Sequence, residues 1–265
     1  MQKYIYLDTN AFEFLAESKK AIGLFKNWIN KKDIKIVISS ATVSELSRKY
    51  NKFSEFNSFI NDTIFSFLFL GRYSSLTELE KKYYPHLFDI EEVSLNEDIN
   101  QRLAGKPFDF NEIKNNINFE NALNSQINAA GINFPNTIIN WFFQNPPKNK
   151  NYTTSEKERL KQKIFDNAKA RLSTDLNTKE INLDYFKTDM VIIEFLFKKH
   201  LIQPIRNLRN SDFVDIQHVA YSPYMTYFIT EKNNYDILKQ IKKTTNLLDN
   251  TTIIKLTEFE TFLNN

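Results

Sequence analysis

Cysteine is absent from all 265 residues, which rules out disulfides, thiolate metal sites and a cysteine nucleophile. Glycine is nearly as scarce, occurring only at Gly23, Gly71, Gly105 and Gly131. That leaves no glycine-rich loop to cradle a nucleotide phosphate and argues against P-loop and dinucleotide-binding enzymes. Long hydrophobic runs are missing too: the most apolar stretch, TIFSFLFL, is far shorter than the ~20 residues that a membrane span needs. The opening residues MQKYIYLDTN carry no basic-then-apolar signal, so the expectation is a soluble, cytoplasmic protein without a membrane partner. Charge of one sign is lacking as well. Lys and Arg number 35 against 32 Asp and Glu, and a net +3 does not by itself imply a polyanionic partner.

Aromatic residues are abundant, with 24 Phe and 12 Tyr, and their default role is core packing. The length allows either one core with a large insertion or two packed lobes. Residues 3–7, KYIYL, alternate and favour a strand, which stops at Asp8 before the helical pattern AFEFLAESKKAIGLFKNWINKK. DIKIVIS reads as a second buried strand, followed by the helix SSATVSELSRKY, with Ser39 or Ser40 placed to cap its first turn. Alternating strands and helices imply a parallel sheet.

From residue 52 to 204 the pattern turns to long helix-period segments punctuated at Tyr84-Pro85, Lys106-Pro107 and Asn145-Pro146-Pro147. This segment reads as a mostly helical insertion or lobe, with EEVSL at 91–95 as a short extended piece. After Pro204 the α/β pattern returns: SDFVDIQHVAYSPY as a helix, MTYFITE as a strand, NNYDILKQIKKTTNLL as a helix and TTIIKLT as a final strand. Residues 1–51 and 205–265 are therefore expected to share one sheet. The carboxyl ends of parallel strands are where such folds place ligands.

Five acids fall at or near element ends on that side: Asp8 after the first strand, Glu45 in the following helix, Asp212 and Asp215 early in the late helix, and Glu231 after MTYFIT. Crowded carboxylates repel one another and are tolerated when a divalent cation neutralises them. Oxygen ligands without cysteine or a histidine cluster favour Mg²⁺ or Mn²⁺ over zinc. One or two such ions supply what phosphodiester hydrolysis needs: an activated water, a neutralised phosphate and a stabilised leaving oxygen. Each acid also has an ordinary reading. Asp8 suits a helix N-cap, one of Asp212 and Asp215 suits another, and Glu45 and Glu231 suit solvated surface.

Taken together, YIYLDTNAF, TVSEL, the D-x-x-D helix and FITE resemble the PIN-domain ribonucleases. The stretch SDFVDIQHVAYSPYMTYFITE is further similar to larger PIN-like proteins with D-x-x-D-x-x-H before a Thr-acid pair. The resemblance covers roughly residues 1–50 and 205–258. It implies an α/β/α sandwich around a mainly parallel sheet, here carrying a large helical insertion, and a metal-dependent endoribonuclease acting on RNA. It puts catalytic and metal-binding roles on Asp8, Glu45, Asp212 and Asp215 and a metal ligand on Glu231. On the same resemblance, Thr9, Asn10, His218 and Thr230 are expected to shape or orient the surroundings of that site. Two departures stand out: Glu231 occupies a place where the family more often has Asp, and the middle of the chain is much longer than in compact PIN toxins.

Bases outnumber acids between Lys148 and Arg171, and this stretch reads either as a solvated helix face or as a phosphate-contacting surface. Arg206, Arg209, Lys161 and Lys163 are the candidate RNA contacts. Partners left open beside RNA are a second copy of the chain and an antitoxin or other regulatory protein. Two competing functions remain: a PIN-like binding or scaffold protein without catalysis, and a haloacid-dehalogenase-type phosphatase with Asp8 as nucleophile. The latter usually wants an acid two residues on, where Asn10 stands.

Overall fold

A computed structural model describes residues 2–39, 41–42, 45–46, 67–70, 73–88, 90, 153–202 and 210–264. Strand β1, Lys3–Leu7, leads through helices α1, Thr9–Glu17, and α2, Lys19–Lys32, to β2, Ile34–Ser39. Strand β3, Phe67–Leu70, helix α3, Tyr73–Tyr83, helix α4, Thr154–Leu176, and helix α5, Lys187–Ile202, come next. Helix α6, Asn210–Val219, then precedes β4, Tyr227–Thr230, helix α7, Lys232–Thr244, β5, Thr252–Lys255, and helix α8, Phe259–Leu263.

The five strands form one sheet in the order β3-β2-β1-β4-β5, and every described pairing is parallel. The chain winds outward from β1 through β2 to β3, then returns to lay β4 on the other side of β1. Strand order therefore reverses between β1 and β4, the switch point at which open α/β sheets leave a crevice at their carboxyl ends. Alternation along the strands feeds two cores. Tyr4, Tyr6, Val37, Phe228 and Ile253 point to the face covered by α5, α6 and α7. Ile5, Leu7, Ile36, Ile38, Ile229 and Ile254 point to the face covered by α1, α2 and α8. This is an α/β fold with helices on both sides of a parallel sheet.

The structure departs from the sequence reading in three places. The expected long helix after Asp8 is broken at Ser18, whose backbone is extended and whose side chain accepts from the Ala21 N–H at 3.1 Å, ending α1 and capping α2. Within TIFSFLFL, residues 67–70 form a strand that extends the sheet beyond β2. The segment 52–204, expected to be mostly helical, thus also supplies an edge of the sheet. Its helix α5 packs in the same core as β1 and β4. The stretch 91–95 lies outside the described residues. Among the described residues no helix is long and apolar enough to cross a membrane.

A buried polar knot joins α3, α4 and α5. Glu80, 2% exposed, accepts from the Thr188 N–H at 2.7 Å, in the otherwise unpaired first turn of α5, and from the Tyr224 hydroxyl. Asp189 next to it pairs with Arg171 at 2.8 Å. Burial pushes the Glu80 carboxyl up to about 8 and the neighbouring Asp189 charge adds to it, against the hydrogen bonds from Tyr224 and Thr188. The folded chain thus holds this proton above the ordinary 4.5, and its stabilising effect is complete below that value and lost as pH rises through about 8. Glu80→Gln removes this dependence. Its melting temperature relative to wild type should rise between pH 5 and pH 9, by the equivalent of a few kcal/mol at most. A difference that stays constant across that range would show that Glu80 does not hold the proton.

Candidate functional site

Strand pairing at the switch point is what assembles the site. The Asp8 N–H donates to the Ile229 carbonyl at 3.2 Å, carrying the β1–β4 ladder one residue past β1. The Asp8 carboxylate, 5% exposed, accepts the Ala11 N–H on Oδ1 at 2.9 Å and the Glu231 N–H on Oδ2 at 3.1 Å, and it is hydrogen-bonded by the Thr230 hydroxyl. Asp8 is therefore both the N-cap of α1 and the carboxylate that ties the two strand ends together. Burial pushes its pKa up, while the nearby His218 and the donors from Ala11, Thr230 and Glu231 pull it down.

Glu45 enters from the short helical stretch after β2, where residues 41, 42, 45 and 46 are helical. That stretch is capped by Ser39, whose Oγ accepts the Thr42 N–H at 3.2 Å; Ser40 lies outside the described residues. Glu45 accepts from the Thr9 hydroxyl and, at 2.9 Å, from His218 Nε2. A carboxylate only accepts, so Nε2 carries the hydrogen. The other ring nitrogen, Nδ1, lies 2.6 Å from the Tyr6 hydroxyl, which also reaches Ser39 Oγ at 2.7 Å and Thr42 Oγ1 at 3.2 Å. His218 is thus clamped from both sides. Burial opposes its charge, but the Glu45 hydrogen bond and the carboxylates of Glu45, Asp8 and Asp215 outweigh that and hold its pKa above the ordinary value.

Asp215 stands one turn before His218 on α6 with its side chain 33% exposed. Its Oδ2 accepts from Lys199 Nζ at 2.7 Å and its Oδ1 from Asn234 Nδ2 at 3.0 Å. Glu231 is exposed at the N-cap position of α7 and accepts from the Asn10 side chain. Asp8, Glu45, Thr9, His218 and Thr230 thus form one hydrogen-bonded group at the ends of β1 and β4. Asp215 joins it electrostatically through His218. Glu231 and Asn10 sit at its rim.

The remaining expectations fall elsewhere. The backbone of Asp212 lies in α6, but its side chain is outside the described residues, as are Arg206 and Arg209 entirely. Lys161 turns inward from α4 to pair with the buried Glu194 of α5, and Lys163 is exposed on α4. The oxygen-rich donor set suits a hard cation by chemistry. By geometry it does not yet fit: among the described residues no three Asp, Glu or His side chains converge closely enough to hold a metal ion. The carboxylates are instead engaged by the chain's own donors.

Tyr6, Lys199 and Asn234 were not anticipated. Tyr6 sits in an apolar strand and reads as core, which its ring is, stacked between Tyr221 at 5.4 Å and Phe228 at 5.2 Å. Lys199 did leave a signal, one of two adjacent bases, Lys198 and Lys199, that follow the largely apolar run MVIIEFLF of α5.

Tyr6→Phe keeps the stacked ring and deletes the hydroxyl that His218, Ser39 and Thr42 share. Urea unfolding should show a loss of about 1–3 kcal/mol from the buried partners left unpaired. A loss under about 0.5 kcal/mol would mean the hydroxyl does not hold the network.

Set against known proteins, the chain matches no protein-family model, no curated protein and no solved structure.

Proposed function

We propose that this chain is a metal-dependent endoribonuclease of the PIN-like kind, cutting RNA phosphodiester bonds at the carboxylate group around Asp8. The observation that supports this most directly is the meeting of Asp8, Glu45, His218 and Asp215, drawn from opposite ends of the chain, at the carboxyl edge of the β1–β4 switch point. Parallel α/β sheets put their chemistry at that edge. Asp8, Glu45 and Asp215 are the described acids that would hold a Mg²⁺ or Mn²⁺ there, and such an ion would supply water activation and neutralisation of the phosphate.

The residues described here do the preparatory work. The backbone and the Thr230 hydroxyl fix Asp8 so that it cannot rotate away. His218, braced by Tyr6, sets the orientation of Glu45, and Thr9 donates to that same carboxylate. Asp215 and Glu45, with side chains about a third exposed, are the acids of the group nearest to solvent. Cytoplasmic location, RNA as partner and any antitoxin or second copy of the chain belong to this reading.

A second reading is favoured by a different observation. The acids are already satisfied by internal donors, as in a PIN-like scaffold that binds without cutting. The two readings separate in one experiment. Purified protein should cleave single-stranded or structured RNA in Mn²⁺ or Mg²⁺ and stop in EDTA, and Asp8→Asn should reduce cleavage by at least about a hundredfold while the fold is retained. If a contaminant-controlled preparation cuts no RNA with either metal, the scaffold reading stands. If Asp8→Asn cuts at the wild-type rate, the site is elsewhere.

A further inference from the structure

Helix α5 carries two adjacent lysines near its end that serve different neighbours. Lys199 reaches Asp215, with Nζ 2.7 Å from Oδ2 and 5.3 Å from the centre of the Phe195 ring. Lys198 stands four residues beyond Glu194, which makes the two side chains neighbours on one face of the helix. Glu194 is already engaged. Its side chain, 2% exposed, pairs through Oε1 with Lys161 of α4. Two ammonium groups therefore face one buried carboxylate, and among the described residues Lys198 has no ion pair of its own. Burial lowers the pKa of Lys198; Glu194 opposes this and the Lys161 charge adds to it.

The surplus charge is also held in place. Besides its bond to Glu194, the Lys161 Nζ lies 5.4 Å from the centre of the Phe165 ring, and its side chain is 31% exposed. Lysines restrained in this way give up less rotamer freedom when they meet a ligand. Lys161, Lys198 and Lys199 form a strip of cations whose last member stands against Asp215, at the edge of the carboxylate group. The described acids along that strip, Glu194 and Asp215, are already paired, so an anion that balances Lys198 comes from outside the described residues. A phosphodiester chain offers one negative charge per nucleotide along a line, which is what a strip leading to a site of cleavage can use.

Resting on the RNA-cutting reading above, we propose that the carboxyl end of α5, through Lys198 with Lys161 beside it, binds the RNA phosphate backbone and leads the strand to the carboxylate group around Asp8. The phosphate contact then lies at the junction of α4 and α5 rather than on the outer face of α4, where Lys163 is exposed. Such contacts position a strand without reading its bases.

Anisotropy of a labelled single-stranded RNA oligonucleotide, titrated with the full chain in EDTA at several salt concentrations, reads binding without metal-dependent cleavage. Lys198→Met keeps the length of the side chain and should weaken binding about three- to tenfold, lowering the slope of log affinity against log salt by about one. Lys198→Arg should restore both. Lys163→Met removes the same charge roughly 200° around α4 from Lys161 and should stay within about twofold of wild type. Wild-type affinity and slope in Lys198→Met, or an equal loss in Lys163→Met, overturns the proposal. Should the Met variant fail to fold, Lys198→Gln takes its place with the same expected loss. Polyglutamate that competes as well as RNA of equal charge would assign the strip to an acidic protein and reject RNA as its partner. Absence of binding in EDTA rejects the strip whatever the wild type cuts. If wild type cuts RNA in Mn²⁺ while the Lys198 variants bind as it does, the cleavage reading stands and Lys198 alone is rejected. Lys198-dependent binding by a protein that cuts nothing keeps the surface and rejects cleavage.

Discussion

The parallel pairing of β1 with β4 is the constraint on which the site depends. It aligns Leu7 with Ile229, so both strands end at the same level and the residues that follow them become neighbours across more than two hundred positions of sequence. Asp8 then extends the ladder by one backbone bond and closes it with its side chain, accepting from the Glu231 N–H. A buried carboxylate is expensive unless its oxygens are hydrogen-bonded, and here three donors from the end of β4 and the start of α1 supply that. The same bonds that stabilise the charge also fix the two halves of the site to each other. Bringing the ends together across so long a segment adds little beyond the closure of a shorter one, because closure entropy grows only with the logarithm of length.

The carboxylates fall into an inner and an outer set, and the difference lies in what neutralises them. Asp8 is nearly inaccessible and is held by the backbone, with His218 as its nearby charge partner. Glu45 and Asp215 are each about a third exposed and are held by side chains, His218 and Lys199, that could release them. Tyr6 makes the two holders unequal. Its hydroxyl anchors the far side of the His218 ring within a buried Ser39–Thr42 pair, whereas Lys199 reaches Asp215 beside the Phe195 ring.

How much of this the sequence carried depends on the kind of signal. Asp8, Glu45 and His218 were legible because strand and helix periods place residues on faces and at ends, and the acids stood at those ends. Asp8 as a cap and Asp8 beside the other acids were alternatives on paper, yet one carboxylate caps α1 through Oδ1 and meets the Glu231 N–H across the strand ends through Oδ2. The strand at 67–70 was not legible, since FLFL is a short apolar run with no alternation to separate a buried strand from a piece of helix. Ser18 was missed for the converse reason: helical periodicity continues across it, and only its cap geometry interrupts the helix. Tyr6 and Lys199 depend on contacts that no local pattern encodes. A tyrosine in an apolar strand announces its ring but not the partner of its hydroxyl.

Charge is where local reading is weakest, and α4 shows why. Its bases suggested a surface for phosphates, but two of them face inward: Arg171 meets Asp189 and Lys161 meets Glu194, both acids on α5. Residue numbers fall along α4 as they rise along α5, so the two helices pass antiparallel and the ion pairs fix their relative position. Leaving either acid unmatched would cost several kcal/mol, far more than a surface pair is worth. Glu80 adds a third point by accepting from the first turn of α5. Helix α5 is thus held along its axis at Thr188, Asp189 and Glu194, and Lys199 lies little more than a turn beyond the last of these. What reads in sequence as a basic surface helix is, through these pairs, part of what sets a lysine against Asp215.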